Sequence, residues 1–251
     1  MSREATDLAG VRHLAYETLG STNAEALSRA RAGERGPLWI SARTQTSGRG
    51  RYGRTWVSLA GNLHATLLLT EPSVPAKAPQ LSLVAALAVH DAVAESVAHL
   101  ASRLALKWPN DLLLDGGKAA GILIEGESEP VFAVAIGIGV NCAAHPEGGL
   151  YPATDLAEAG GAVSADAVMA ELAAAMCRRL SQWNRGHDFA CIRAEWLERT
   201  RGLGETLKVR LADRELSGRF QGLDEFGRLL LENQDGIIAV ATGDVFGLDG
   251  R

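Results

Sequence analysis

The chain has 251 residues, 25 Lys and Arg against 30 Asp and Glu, and a formal net charge of −5. Hydrophobic residues make up 47% and charged residues 22%, ordinary globular usage that excludes disorder as the dominant state. The mild acidity argues against broad nucleic-acid binding. Three cysteines (Cys142, Cys177, Cys191) with no C-x-x-C pair form neither a disulfide framework nor a zinc site.

From the N-terminus, MSREATDLAG has no apolar core for a signal peptide. Asn23 to Arg31 predicts a short helix that Ser21 or Thr22 can cap. Leu38 to Arg43 predicts a strand, Thr44 to Arg54 a Gly/Arg-rich loop, and Asn62 to Thr70 a strand of the buried type. After the proline-rich EPSVPAKAP comes a helix from about Gln80 to about Ala101. Its apolar run, Leu81 to Val89, stops at His90 and Asp91, well short of the about 20 apolar residues that span a bilayer. Together with the sparse cysteines, this predicts a soluble, cytoplasmic protein with no membrane partner.

Leu104 to Trp108 and Asp111 to Leu114 predict short strands around Pro109. Ala119 to Glu125 and Val131 to Gly137 predict a strand pair, turned at Gly126 to Pro130. Cys142 to Gly161 reads as a long surface loop, a length usually functional or disordered. Two helices follow, from about Ala165 to Trp183 and from about Phe189 to Arg199. Beyond Gly202-Leu203-Gly204 the pattern turns to short alternating strands at Glu205 to Leu211, Arg214 to Gly222, Arg228 to Glu232 and Ile237 to Thr242. That is the signature of a small β barrel of about 50 residues. The boundary divides the chain into 1–202 and 203–251.

The densest chemical signal is QTSGRGRYGRTW, Gln45 to Trp56. From Arg35 through Thr70 there are five Arg and no Asp or Glu. Gly48, Gly50 and Gly53 let the backbone approach a ligand, and successive N–H groups in such a loop can form an anion-binding nest. Arg49, Arg51 and Arg54 add forks suited to phosphate or carboxylate. The arginines repel one another unless something anionic is present, so a bare surface turn fits less well than binding of a polyphosphate or carboxylate. Gly48-x-Gly50-x-x-Gly53 matches the dinucleotide fingerprint, but a strand follows it where that motif needs a helix. RGG-like RNA binding stays open as a second class. With so many glycines and like charges, the loop is expected to be mobile in the empty protein.

The second signal is KWPNDLLLDGGKAAGILIE, Lys107 to Glu125. Lys118, on the Gly116-Gly117 turn, stands at the mouth of a pocket walled by Ala119, Ala120 and Gly121, where its ammonium can meet charge developing on a phosphoryl or acyl oxygen. Trp108 before Pro109 is pushed toward extended geometry. Asn110 and Asp111 then reach toward a nucleotide or its magnesium, unless they form only an Asx turn. Ser21-Thr22-Asn23 serves as a cap and also offers donors and acceptors to a small polar ring. GIGVN, Gly137 to Asn141, is either a tight turn or a backbone approach to ligand. The six histidines show no metal-ligand spacing on one element.

Taken together, STN (Ser21 to Asn23), QTSGRGRYGRTW, KWPNDLLL, GGKAAGILIE and GIGVN resemble, in order and spacing, a biotin protein ligase. The resemblance covers nearly the whole chain. It implies a mixed-sheet α/β catalytic domain followed by an SH3-like β barrel. It implies ATP and biotin as substrates with Mg²⁺, a biotinyl-5′-adenylate intermediate, and transfer to a lysine of the biotin carboxyl carrier protein of an acyl-CoA carboxylase. By position it implies catalytic Lys118 and Arg51, and biotin contacts from Ser21, Thr22, Asn23, Gln45, Gly48, Arg49, Gly50, Arg51, Lys118 and Gly121. Arg51, Arg54, Trp56, Asn110, Lys118 and Asn141 serve ATP, Asp111 helps the metal, and the loop after Cys142 orders over the adenine. Family members are monomers or homodimers. The resemblance favours biotin over lipoate, whose ligases share the general fold and a lysine. About twenty residues precede the STN segment, fewer than the roughly 50 of a minimal domain, so no DNA binding or repressor role is expected.

Overall fold

The computed structural model describes residues 2–148 and 151–246, with side chains from Asp7 onward. Residues 149–150 of the long loop and 247–251 of the C-terminal segment lie outside the described residues.

Eight strands form one mixed sheet: β1 (Ser2–Leu8), β2 (Val11–Leu19), β3 (Leu38–Gln45), β4 (Leu63–Thr70), β5 (Leu104–Lys107), β6 (Asp111–Leu114), β7 (Gly117–Glu127) and β8 (Ala133–Val140). Their spatial order is β1-β2-β3-β4-β8-β7-β6-β5. Only β2 and β3 run parallel, because helix α1 (Thr22–Arg31) carries the chain between them. The opposite face holds α2 (Leu81–Ser96), α3 (Ala165–Trp183) and α4 (Phe189–Glu198). Side chains alternate between the faces. Trp39, Leu67 and Ile136 join the large core under α2 and α3. Leu38, Ile40, Leu68 and Ala135 join a second cluster with Ala26 and Ala30 of α1. A strand covered on both faces is buried along nearly its whole length, which is why β4 reads LHATLLLT, mostly apolar with His64 and Thr66 buried among the leucines.

The C-terminal strands β9 (Thr206–Arg210), β10 (Glu215–Leu223), β11 (Leu229–Asn233), β12 (Gly236–Val240) and β13 (Asp244–Phe246) form a small antiparallel sheet in the order β12-β11-β10-β9-β13. Its inward residues Leu207, Val209, Phe220 and Leu231 are continuous with the main core. The Trp108 indole N–H donates to Gly227 O at 3.1 Å across the junction.

Several expectations change. The hairpin β1–β2 has no counterpart in the predicted elements. VRHLAYETL buries only His13 and Leu14, so no apolar stripe announces it; the turn rests on Ala9 and Gly10, both at positive φ. Helix α2 ends at Ser96 rather than near Ala101. Val97 leaves helical geometry (φ −141°, ψ 71°) and a 3-10 turn carries Leu100 into the core. The Trp108–Pro109 peptide is cis. Lys118 lies inside β7, and Gly137 and Gly139 lie inside β8 rather than in a turn. The three cysteines are free, and burial pushes the Cys142 thiol up to about 11. Among the described residues no helix is long and apolar enough to cross a membrane.

Candidate active site

A cavity opens where β7 and β8 meet the Gly/Arg loop and the end of the C-terminal sheet. Its floor is glycine. Gly121 and Gly139 face each other across β7 and β8, and the Trp56 ring lies on them. An added Cβ at Gly139 would stand 2.4 Å from that ring, and one at Gly121 2.9 Å. The Trp56 indole N–H donates to His64 Nδ1 at 3.3 Å. Burial holds the His64 pKa below its ordinary value, so the ring stays neutral and keeps its acceptor.

One end of the cavity is a closed polar network. Ser21 caps α1, accepting from Ala24 N–H at 3.4 Å. Gln45 Oε1 accepts from the Thr22 backbone N–H and hydroxyl at 2.9 and 3.1 Å. Asn23 Oδ1 accepts from the Thr66 hydroxyl at 2.7 Å, and its Nδ2 donates to Glu125 Oε2 at 2.8 Å. Thr22, Asn23 and Thr66 are all buried, so the groups facing the cavity are held in fixed directions.

The arginine loop closes over the other side. It is a tight hairpin: Arg49 bridges Thr55, and Tyr52 and Gly53 turn its tip at positive φ. Three of its backbone donors are used within the loop: the N–H groups of Gly50, Arg54 and Trp56 donate to Arg54 O, Arg51 O and Gly48 O. The cationic character comes from side chains. Their mutual repulsion is relieved by the protein's own acids rather than only by a ligand. Arg49 pairs with Glu125 at 2.9 Å and Arg54 with Asp244 at 2.5 Å. Arg51 donates to Thr242 Oγ1 at 2.7 Å and Gly243 O at 3.0 Å, with Asn110 Oδ1 at 3.4 Å.

Lys118 reaches the same cavity from β7, its Nζ 2.6 Å from Asp111 Oδ1 and 5.8 Å from the Trp56 ring centroid. Register explains the pairing: Asp111 lies across from Gly121 on β7, and a bulge there offsets Lys118 to Leu113. Asn110 is fixed by its Nδ2 donating to Ile122 O at 2.6 Å. Lys107 stands 3.7 Å from the Tyr151 ring centroid. Burial, then the nearby Asp244, raises the Tyr151 pKa.

Two models of known families match the chain: the Biotin/lipoate A/B protein ligase family over residues 18–141, and the Biotin protein ligase C terminal domain over residues 202–247. A biotin–[acetyl-CoA-carboxylase] ligase of Paracoccus denitrificans is 44% identical over 234 residues, 90% of this chain and 96% of the relative. The chain belongs to the biotin protein ligase family.

Two solved structures of the family agree with the fold. The Aquifex aeolicus ligase in complex with biotin and ATP superposes with a TM-score of 0.78 at 28% identity, covering 93% of this chain and 97% of that one. The Leishmania major ligase in complex with biotinyl-5-AMP superposes with a TM-score of 0.66 at 26% identity, covering 90% and 97%. Mixed sheet and small SH3-like C-terminal sheet are thus shared with biotin protein ligases.

Of the residues singled out in the sequence, Ser21, Thr22, Asn23, Gln45, Arg49, Gly50, Arg51, Arg54, Trp56, Asn110, Asp111, Lys118 and Gly121 line this one cavity. Gly48 and Asn141 do not. A Cβ on Gly48 would meet Trp56 O at 2.6 Å, so that glycine shapes the loop. Asn141 Nδ2 donates to Lys118 O at 3.3 Å and Thr154 O at 3.0 Å, stapling the long loop to the strand that carries the lysine. Sequence reading missed the cavity walls Lys107, Tyr151 and Gly243 to Val245. Tyr151 comes from the long loop and Gly243 to Val245 from a three-residue strand and the residue before it, where no periodicity marks them; Lys107 ends β5 and opens the KWPND motif but has no role in that reading. His145, Asp155 and Glu158 bring ligand atoms within 4.8 Å of one another, but none of them lines the cavity. For magnesium, the carboxylates on the cavity are Asp111 and Asp244, both already paired with cations. This donor set fits an ion carried in by phosphates with one protein oxygen, the usual magnesium arrangement, rather than a cage of its own.

Proposed function

We propose that this chain is an ATP-dependent biotin protein ligase acting through biotinyl-5′-adenylate. The observation that carries the reading is the convergence of Arg51 and Lys118, from the loop and from β7, on one cavity with a polar end and an open end. Both reactants of the first step are anions, so they meet only where fixed cations offset their repulsion. A biotin carboxylate oxygen attacks the α-phosphorus of ATP, the bond to the β-phosphate oxygen breaks, and pyrophosphate leaves. Arg51 and Lys118 meet the charge spread over the carboxylate and α-phosphate in that transition state.

Thr22, Asn23 and Gln45 bind the biotin ring at the polar end. Arg54, Asn110 and Trp56 serve the nucleotide, and Arg49 and Gly50 close the loop over the adenylate, excluding the water that would hydrolyse the mixed anhydride. Magnesium, when bound with ATP, would neutralise phosphate charge, and Asp111 is the cavity residue that would help hold it. In the second step the neutral ε-amine of a carrier lysine attacks the biotinyl carbonyl, AMP leaves and the nitrogen loses a proton. The carrier is a biotin carboxyl carrier domain of an acyl-CoA carboxylase.

The test is the intact mass of such a domain after incubation with the chain, Mg-ATP and biotin, beside a tube with lipoate and a lipoyl domain. A gain of one biotin in the first tube only is expected. A gain in the second only would reassign the acid. No gain in either would return the arginine loop to anion or RNA binding.

A further inference from the structure

Glu125 does not line the cavity, yet it touches what shapes both of its sides. It stands near the end of β7, half-buried beside α1. Its Oε2 accepts from Asn23 Nδ2 at 2.8 Å. On its other side Arg49 Nη2 donates to Oε1 and Oε2 at 3.0 and 2.9 Å. Asn23 has a second donor contact, Nδ2 to Leu123 O at 3.2 Å, and one acceptor contact from Thr66. Both groups on the β7 side are pure acceptors. The amide nitrogen must therefore face β7 and the oxygen must face Thr66, and a flip would set oxygen against the carboxylate.

We infer that Glu125 is a positioning residue that sets the amide orientation of Asn23 and latches Arg49, so that recognition at the polar end and closure of the arginine loop depend on one carboxylate. Removing the charge would loosen the loop and soften the polar end together, without touching Lys118 or Arg51. The activity readout rests on the adenylating reading above; a second readout does not.

The experiment compares the full chain with Glu125→Gln, Arg49→Ala and the double variant in biotin-dependent ATP–pyrophosphate exchange. Each single change should raise KM for biotin about five- to tenfold, the weight of one charge-assisted hydrogen bond, with kcat within about twofold. The double variant should be no worse than the worse single one, because both remove the same contact. Multiplying effects, an unmoved KM in E125Q, or a parallel fall of every parameter with the unfolding temperature would overturn the inference. Trypsin cleavage after Arg51 and Arg54, followed by mass, needs no substrate and should run several-fold faster in E125Q. Cleavage at the wild-type rate would sink the latch. Absent exchange in the wild type, with faster cleavage in E125Q, would instead count against the ligase reading and leave the latch standing.

Discussion

Arg54, on the arginine loop, and Asp244, at the start of β13, meet at 2.5 Å. The Asp244 hydrogen bond holds the Arg54 pKa above its ordinary value. The C-terminal sheet therefore supplies part of the cavity wall, and the loop is anchored at both ends by acids from different parts of the chain. If Asp244 is an anchor, Asp244→Ala and Arg54→Ala should each raise KM for ATP about three- to tenfold, with non-additive effects in the double variant. KM for biotin should stay within about twofold. A lower KM for ATP in Asp244→Ala would mean that the carboxylate competes with phosphate rather than positions the arginine.

Lys118 and Asp111 make the second test. Lys118→Ala should cut adenylate formation by about 10²–10³, with far-UV circular dichroism unchanged, since the side chain reaches into the cavity and not into the apolar core. Asp111→Asn should slow the same step by about tenfold and shift the magnesium dependence to higher concentration, because the carboxylate that holds Lys118 at 2.6 Å also offers the ion its protein oxygen. An unshifted magnesium dependence would leave Asp111 to Lys118 alone.

The arginine loop, KWPND and the lysine after GG were legible because each packs an uncommon set of side chains into a few adjacent residues. The apolar strands were legible because β4 and β8 are buried on both faces. What stayed hidden depends on contacts distant in sequence. Asp244 reads as an ordinary turn acid until β13 returns beside β9. Glu125 ends an apolar strand and gains meaning only when Arg49, far earlier in the chain, reaches it. The ATP role of Asn141 rests on resemblance alone; that its amide donates to Thr154 O and the Lys118 carbonyl depends on the long loop returning beside β7. The arginines implied an anion, and sequence could not tell that the chain carries its own.

Stability in acid should report a different cluster. Asp91 on α2 accepts from Arg179 Nε on α3 at 2.7 Å, and Arg179 also holds Glu195 on α4 at 2.6 Å. Burial alone would raise the Asp91 pKa. The nearby His90, with its Nδ1 at 3.8 Å, the hydrogen bond from Arg179 and the charges of Arg179 and Arg199 overcome it and bring the value from 3.8 to about 2. A depressed carboxylate stabilises the fold fully above its unfolded value and loses that contribution as pH falls through the folded one. The window is therefore about pH 4 to about pH 2, and the contribution up to about 2 kcal/mol. Asp91→Asn should be less stable than wild type to urea at pH 7 by about that amount, and the two should converge near pH 2. A constant gap across that window would deny the linkage.

Gly137 offers a steric test of the polar end. A Cβ there would stand 2.4 Å from Asn23 Oδ1 and 2.9 Å from its Cγ and Nδ2, far inside contact distance, and Asn23 is buried with its amide bonded on both sides. The added methyl must push that amide off Thr66 and Glu125. The strand itself has no objection to alanine, since Gly137 has an ordinary extended φ within β8. Gly137→Ala should thus fold and still bind ATP, while KM for biotin rises more than about tenfold, the cost of unmaking one or two buried hydrogen bonds. Gly126→Ala is the control: it lies on neighbouring β7, where a Cβ meets nothing closer than 3.5 Å, and should leave both constants alone. If Gly137→Ala kept the wild-type KM for biotin, Asn23 could not be the group that reads the ring, because its amide would have moved without consequence.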